Sequence, residues 1–174
     1  NKGALLAARD ATSALPANEE IMEVLGRAQI ASGEASQAVI TLTKLASLQA
    51  KNPLPHVLLA DAHLVAKDNA TAERELRKAL ELKPDLEIAR RGLVSMALLQ
   101  KRYADALAVA REMQKVAPKD PLGFSLEGDV EAHRKAWDVA TVAYKAALQR
   151  SGSAESGIRL HNALRTGGKT AEAA

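Results

Sequence analysis

The 174-residue chain is 47% hydrophobic and 26% charged, a balance that folds and that disordered chains lack. Its 24 basic and 21 acidic residues interleave to a net charge of +3, without the basic block that tracks nucleic-acid phosphates. It contains no cysteine, which removes disulfides, thiolate zinc sites and cysteine nucleophiles, and no apolar run approaches the ~18 residues that span a bilayer.

Aromatic residues make up only 2% of the chain, and alanine is common among Leu, Glu, Lys, Gln and Arg, a composition that favours helix. In chain order, Ala4, Leu5 and Ala8 already carry a helical stripe. Met22, Leu25, Ala28 and Gln29 share the face of a next helix, Gly33 interrupts it, and Ala38, Leu42 and Leu45 resume the pattern. Leu59 and Ala60, then Ala72 and Leu76, repeat the scheme up to Pro84. The run Ala72-Glu73-Arg74-Glu75-Leu76-Arg77-Lys78 mixes both signs, as a solvated helix face does. Leu93, Met96 and Ala97 are followed by Tyr103, Ala106, Ala110 and Met113, with Pro118 closing that unit because the residue before proline leaves helical geometry. A further pair runs through Gly128, Trp137, Ala140 and Tyr144, and a last segment contains Ile158, Leu160 and Leu164.

These segments recur at a fixed interval. Pro84 and Pro118 stand 34 residues apart, and Pro16 lies two such periods before Pro84. Folding the chain at 34 places Ala4, Ala38, Ala72, Ala106, Ala140 and Ala174 in one column. Leu25, Leu59 and Leu93 form another, Gly26, Ala60, Val94 and Gly128 a mostly small one, and Leu42, Leu76 and Tyr144 a large one. An alanine column has a physical reading: helices cross there too closely for a larger side chain, and leucine would overpack the contact by about 1–3 kcal/mol.

The period, Leu25-Gly26, Gly33, the alanine column, Tyr103 and Trp137 in the turn column and the closing prolines resemble the tetratricopeptide-repeat (TPR) family over the whole chain. His56 and Arg90 depart from it where the family carries a large aromatic, as do Ala50 and Gly152 in place of the closing proline. The resemblance implies an all-α fold of about nine helices plus a partial one, helix-turn-helix repeats stacked as a right-handed α-solenoid superhelix. Full repeats are expected at 19–52, 53–86, 87–120 and 121–154, with 1–18 as a half repeat and 155–174 as a partial one. Neither end reads as a polar cap, so a longer array continuing on both sides is expected, with the apolar edge near Ile158, Leu160 and Leu164 open to end-to-end contact. More narrowly, Gly123-Phe124-Ser125-Leu126-Glu127-Gly128-Asp129 and Ile158-Arg159-Leu160-His161-Asn162-Ala163-Leu164 resemble the bacterial TPR lipoprotein of the PEP-CTERM/exosortase system. That resemblance implies an envelope role in exopolysaccharide production and protein sorting, in the periplasm or at the outer membrane through a lipid anchor of the full-length protein. The alternative is a cytoplasmic adaptor or chaperone-like assembly factor, and a remoter one an enzyme-associated domain.

Several motifs imitate chemistry. Gly167-Gly168-Lys169-Thr170 ends like a phosphate-binding loop, yet Ala163 stands where the motif needs glycine and no strand precedes it, so a helix-to-helix turn is the better reading. His56 and His63 lie seven apart on one helix face, but zinc takes four ligands and no further donors complete a set. Gly123 to Gly128 lacks the spacing of a nucleophile elbow, and most carboxylates have a basic residue three or four positions away. No catalytic, metal or cofactor residue is therefore assigned. A protein or peptide partner, and not nucleic acid or membrane, is the expected ligand. Its contacts are expected on the inward columns of the first helix of each unit: Glu23, Arg27, Val57, Asp61, Leu64, Arg91, Ser95, Ser125, Asp129 and His133, with Ile30, Leu58 and Ile88 beside them. The lysine-asparagine-arginine clamp of co-chaperone TPR domains is absent from these columns.

Overall fold

In a computed structural model of the protein, residues 2–15 and 17–173 are described; Pro16 of the proline spacing and Ala174 of the alanine column lie outside the described residues. The described chain is all helix and turn: α1 Lys2–Ala14, α2 Glu19–Ala31, α3 Ala35–Leu48, α4 Leu54–Val65, α5 Asn69–Leu82, α6 Glu87–Leu99, α7 Tyr103–Val116, α8 Leu122–His133, α9 Trp137–Ser151, α10 Ala154–Thr166 and α11 Thr170–Ala173. The segment expected to hold only a partial helix thus contains the 13-residue α10 and the short α11. The chain divides within α6 into two compact units, one ending at Ala89 and the other starting at Arg90. In the first, α1 packs on α2, α2 on α3, α3 on α4 and α4 on α5, and α2 also reaches α4. In the second, α7 packs on α8, α8 on α9, α9 on α10 and α10 on α11.

The small-residue columns explain how helices of a pair meet. Ala38, Ala72, Ala106 and Ala140 have no accessible surface at all. Ala4 is the exception and is exposed, because α1 packs chiefly on α2 and leaves the face that carries Ala4 in solvent. Gly26 and Gly128 serve the same closeness: a Cβ on Gly26 would lie 2.5 Å from Leu42 Cδ2, and one on Gly128 2.5 Å from Tyr144 Cε1. Small on one helix answers large on the other. Around these crossings Met22, Ala38, Leu42, Leu45, Leu58, Leu59 and Ala62 form one core cluster of the first unit, Leu5, Ala8 and Leu25 another, and Ala140, Tyr144 and Ala163 one of the second.

The turn inside each pair has one recurrent geometry. Gly33, Lys67, Lys101 and Lys135, 34 residues apart in sequence, all adopt left-handed backbone, with φ of 77°, 60°, 57° and 61°. The following amide then bonds back to the helix: Glu34 N to Gln29 O, Asp68 N to His63 O, Arg102 N to Ala97 O and Ala136 N to Glu131 O, at 2.8–2.9 Å. This bond ends the first helix by satisfying a carbonyl that has no partner further along, and it aims the second helix back along the first. Lysine in left-handed backbone is strained by about 1–2 kcal/mol, which glycine is not. Lys67→Gly, Lys101→Gly and Lys135→Gly are each expected to raise stability by about 1 kcal/mol, and Gly33→Ala to lower it by as much, read as opposite shifts of the urea midpoint.

Candidate functional site

The inward columns of the first helices are built differently in the two units. In the first, Glu23 and Arg27 lie one turn apart on α2, and the Glu23 carboxylate accepts from Arg27 Nε at 2.9 Å. Asp61, on α4, remains exposed, but crowding by the surrounding helices lifts its carboxyl above the usual aspartate range, an effect that the Arg27 guanidinium partly offsets. Leu64 is exposed beside Val65, whereas Val57 and Leu58 are buried, Leu58 in the cluster that holds Met22 and Leu42. Two carboxylates around one guanidinium, with a leucine at the side, therefore make this face acidic on balance.

In the second unit, Arg91, Val94, Ser95, Leu98 and Leu99 of α6 and Leu126, Asp129 and His133 of α8 line one open cavity of about 290 Å³. Four inward-column residues, Arg91, Ser95, Asp129 and His133, meet there; Ser125 is buried instead. The Asp129 carboxylate is already engaged. It accepts from the Tyr144 hydroxyl at 2.8 Å and from Arg159 Nη1 through both oxygens, while Arg159 Nη2 donates to Glu155 at 3.0 Å. Burial and the neighbouring Asp129 charge push the Tyr144 hydroxyl far above the usual tyrosine range. For Arg159 burial works downward, but Asp129 and Glu155 outweigh it and hold the guanidinium charged. His133 Nδ1 lies 2.8 Å from the Asp129 carbonyl oxygen, which can only accept, so the ring donates there and leaves Nε2 to the cavity side.

Sequence reasoning missed Arg159 and Tyr144 as partners of Asp129. The signal was available for Arg159, which lies in the same 34-residue column as Glu23, Arg91 and Ser125. Its contact with Asp129 is tertiary and leaves no local trace.

The motifs that imitate chemistry have structural places. Lys169 Nζ sits 2.8 Å from Asp138, whose hydrogen bond and charge raise the ammonium above its usual range, and a Cβ on Gly167 would fall 2.8 Å from Trp137 Cβ. The glycine-rich turn thus packs against the start of α9. His56 and His63 turn to different carboxylates, Glu75 at 2.7 Å and Asp68 at 3.6 Å. Among the described residues no three His, Asp or Glu side chains converge as a metal set, and no helix is long and apolar enough to cross a membrane.

No protein-family model and no curated protein matches the sequence. Solved structures do. A tetratricopeptide repeat protein from Parabacteroides merdae is 18% identical, with a TM-score of 0.69 over 99% of this chain and 70% of its own. A thermophilic TPR protein of Thermus thermophilus is 17% identical, with a TM-score of 0.65 over 92% and 89%. MamA from Desulfovibrio magneticus is 18% identical, with a TM-score of 0.62 over 89% and 88%. The chain has the tetratricopeptide-repeat fold.

Against that TPR fold, the column that reads Met22, His56, Arg90 and Phe124 acquires a clear logic. Each of its two polar members reaches across to the residue 19 positions later: His56 Nδ1 to Glu75, and Arg90 Nη1 to the Val109 carbonyl at 3.3 Å. Phe124 instead receives the Arg150 guanidinium over its ring at 3.6 Å. Glu75 corrects the expectation of a wholly solvated mixed-charge face, since it is 8% exposed. Burial alone would raise its carboxyl, but hydrogen bonds from Lys78 Nζ and His56, each 2.7 Å, prevail and hold it below the usual glutamate range. A depressed folded value means that the stabilisation is present above the unfolded value of about 4.3 and disappears as pH falls through the folded one. Glu75→Gln is expected to cost roughly 1–3 kcal/mol at neutral pH and to flatten the acid limb of stability below about pH 4.3, measured as urea midpoints across pH.

Proposed function

We propose that the protein is a non-catalytic interaction scaffold that takes a protein or peptide partner on the exposed inward faces of its first helices. The observation that carries this reading is the α6–α8 cavity. There four polar inward-column residues stand beside four apolar ones, in an opening too shallow to enclose a reacting substrate. The TPR fold supports it as well, because repeats that vary their surface columns while keeping their packing columns are built to present side chains along an extended face. We further propose that the partner belongs to a bacterial envelope system for exopolysaccharide production and PEP-CTERM protein sorting, the parent protein being held at the periplasm or outer membrane by a lipid anchor. The runs Gly123–Asp129 and Ile158–Leu164 support this narrower reading.

Site-specific photocrosslinking in cells tests both levels. A photoreactive residue at Ser95 or Asp61 is expected to trap a discrete protein partner. The same residue at Ile40 or Val142, exposed on second helices, is expected to trap none. Equal crosslinking from both sets would overturn the groove assignment. Recovery of the protein wholly with the cytosol on cell fractionation would overturn the envelope role and favour a cytoplasmic adaptor.

A further inference from the structure

The α6–α8 cavity joins an apolar wall to one fixed hydrogen-bond acceptor. We propose that it is a pocket for a tryptophan side chain of the partner, whose indole N–H donates to His133 Nε2, an inference that rests on the scaffold reading above. Val94, Leu98 and Leu126 make the wall, and Leu99 stands at its edge with 82% of its surface exposed, the most exposed large hydrophobic among the described residues. Covering such a leucine is a gain that the isolated chain forgoes. A volume of about 290 Å³ lies at the lower limit for small-molecule sites, which suits one large side chain and not a cofactor.

The polar lining decides which side chain enters. His133 stands in a column that otherwise reads Ala31, Val65, Leu99 and Gly167, so only in this repeat does that position carry a hydrogen-bonding side chain. Its Nδ1 donates to the Asp129 carbonyl at 2.8 Å, which places the lone pair of the neutral ring at Nε2 and holds it in one orientation. The other polar side chains of the lining do not duplicate this acceptor. The Asp129 carboxylate is taken by Tyr144 and Arg159, the guanidinium of Arg91 carries donors only, and the Ser95 hydroxyl both donates and accepts. An aliphatic or phenyl group seated here would strip water from Nε2 and return nothing, which is the unfavourable way to bury an acceptor. Indole avoids this, because its nitrogen only donates and the rest of its surface is apolar. A phenol hydroxyl donates as well, but from a smaller ring that covers less of the wall.

The test titrates the N-acetyl amides of tryptophan, 1-methyltryptophan, tyrosine, phenylalanine and leucine into the isotope-labelled full chain at pH 8, followed by amide and imidazole nitrogen shifts. The tryptophan probe is expected to shift the amides around Ser95, Leu99 and His133. It should bind roughly fivefold tighter than the 1-methyl, phenylalanine and leucine probes, with tyrosine between. In the free chain the imidazole shifts should place the His133 proton on Nδ1, and Nε2 should move with the tryptophan probe but not with its 1-methyl derivative. His133→Phe keeps a ring without the acceptor and should erase the difference between those two probes, with melting curves reporting that the variant is folded; the nitrogen shifts need no variant. A proton on Nε2 in the free chain, equal binding of the tryptophan and 1-methyl probes, or tighter binding of tyrosine would overturn the pocket. So would tryptophan shifts confined to α2 and α4. No shift with any probe, while crosslinks still form from Ser95, would overturn the pocket and leave the scaffold reading standing. With neither shifts nor crosslinks, both fall.

Discussion

Where two helices of a pair cross in this protein, the second helix contributes an alanine that is completely covered. Ala38, Ala72, Ala106 and Ala140 are wholly enclosed, and the glycines at 26 and 128 let Leu42 and Tyr144 lie directly against a helix backbone. Interiors packed to this density transmit a change of one methylene to their surroundings, so a larger side chain at a crossing would force the helices apart. Everything that bears on function is set by the distance between them. It determines which residues of a first helix remain outside the pair, and the left-handed turn that follows it fixes the direction in which the second helix returns.

With packing confined to a few columns, the others are free to change chemistry. The column that holds Glu23 in the first unit holds Arg91 and Arg159 in the second, and the one with Arg27 and Asp61 later carries Ser95 and Asp129. None of these exchanges disturbs a crossing. The same freedom extends partly inward. The column of Met22, His56, Arg90 and Phe124 accepts a thioether, an imidazole, a guanidinium or a ring, provided that each polar head finds a partner across the pair. A buried Glu75 is tolerated because His56 and Lys78 both reach it; alone it would be costly. Function in such a fold lies in the side chains grafted onto it, not in the fold.

Much of this was legible in the sequence because the repeat writes each packing position several times. The alanine column, the mostly small column of Gly26 and Gly128 and the large one of Leu42 and Tyr144 can be read by folding the chain at its period, whereas the packing of the last two on each other is seen only in the fold. Ala4 shows the limit of that method: it sits in the right column, but whether it is buried depends on what packs against α1, which no column records. Glu75 shows another. Lys78 three positions later makes it look like half of an exposed ion pair, and only the contact with His56 across the pair reveals it as buried. Val57 and Ser125 share the inward column of the groove residues, yet neighbouring side chains cover both. The cavity itself emerged from four expected residues, but the engagement of Asp129 by Arg159 and Tyr144 depends on side chains meeting from three helices.

That the small-residue crossings hold the whole arrangement is tested most directly by urea unfolding of two single variants followed by circular dichroism. Ala140→Leu inserts three carbons at a crossing with no accessible surface, while Ala108→Leu adds the same atoms to an exposed face of α7. Ala140→Leu is expected to lose about 1–3 kcal/mol, and Ala108→Leu to stay within about 0.5 kcal/mol of the parent chain. If Ala140→Leu unfolds at the same urea concentration as Ala108→Leu, the crossings are not what fixes the fold, and the positions of the groove residues need another explanation.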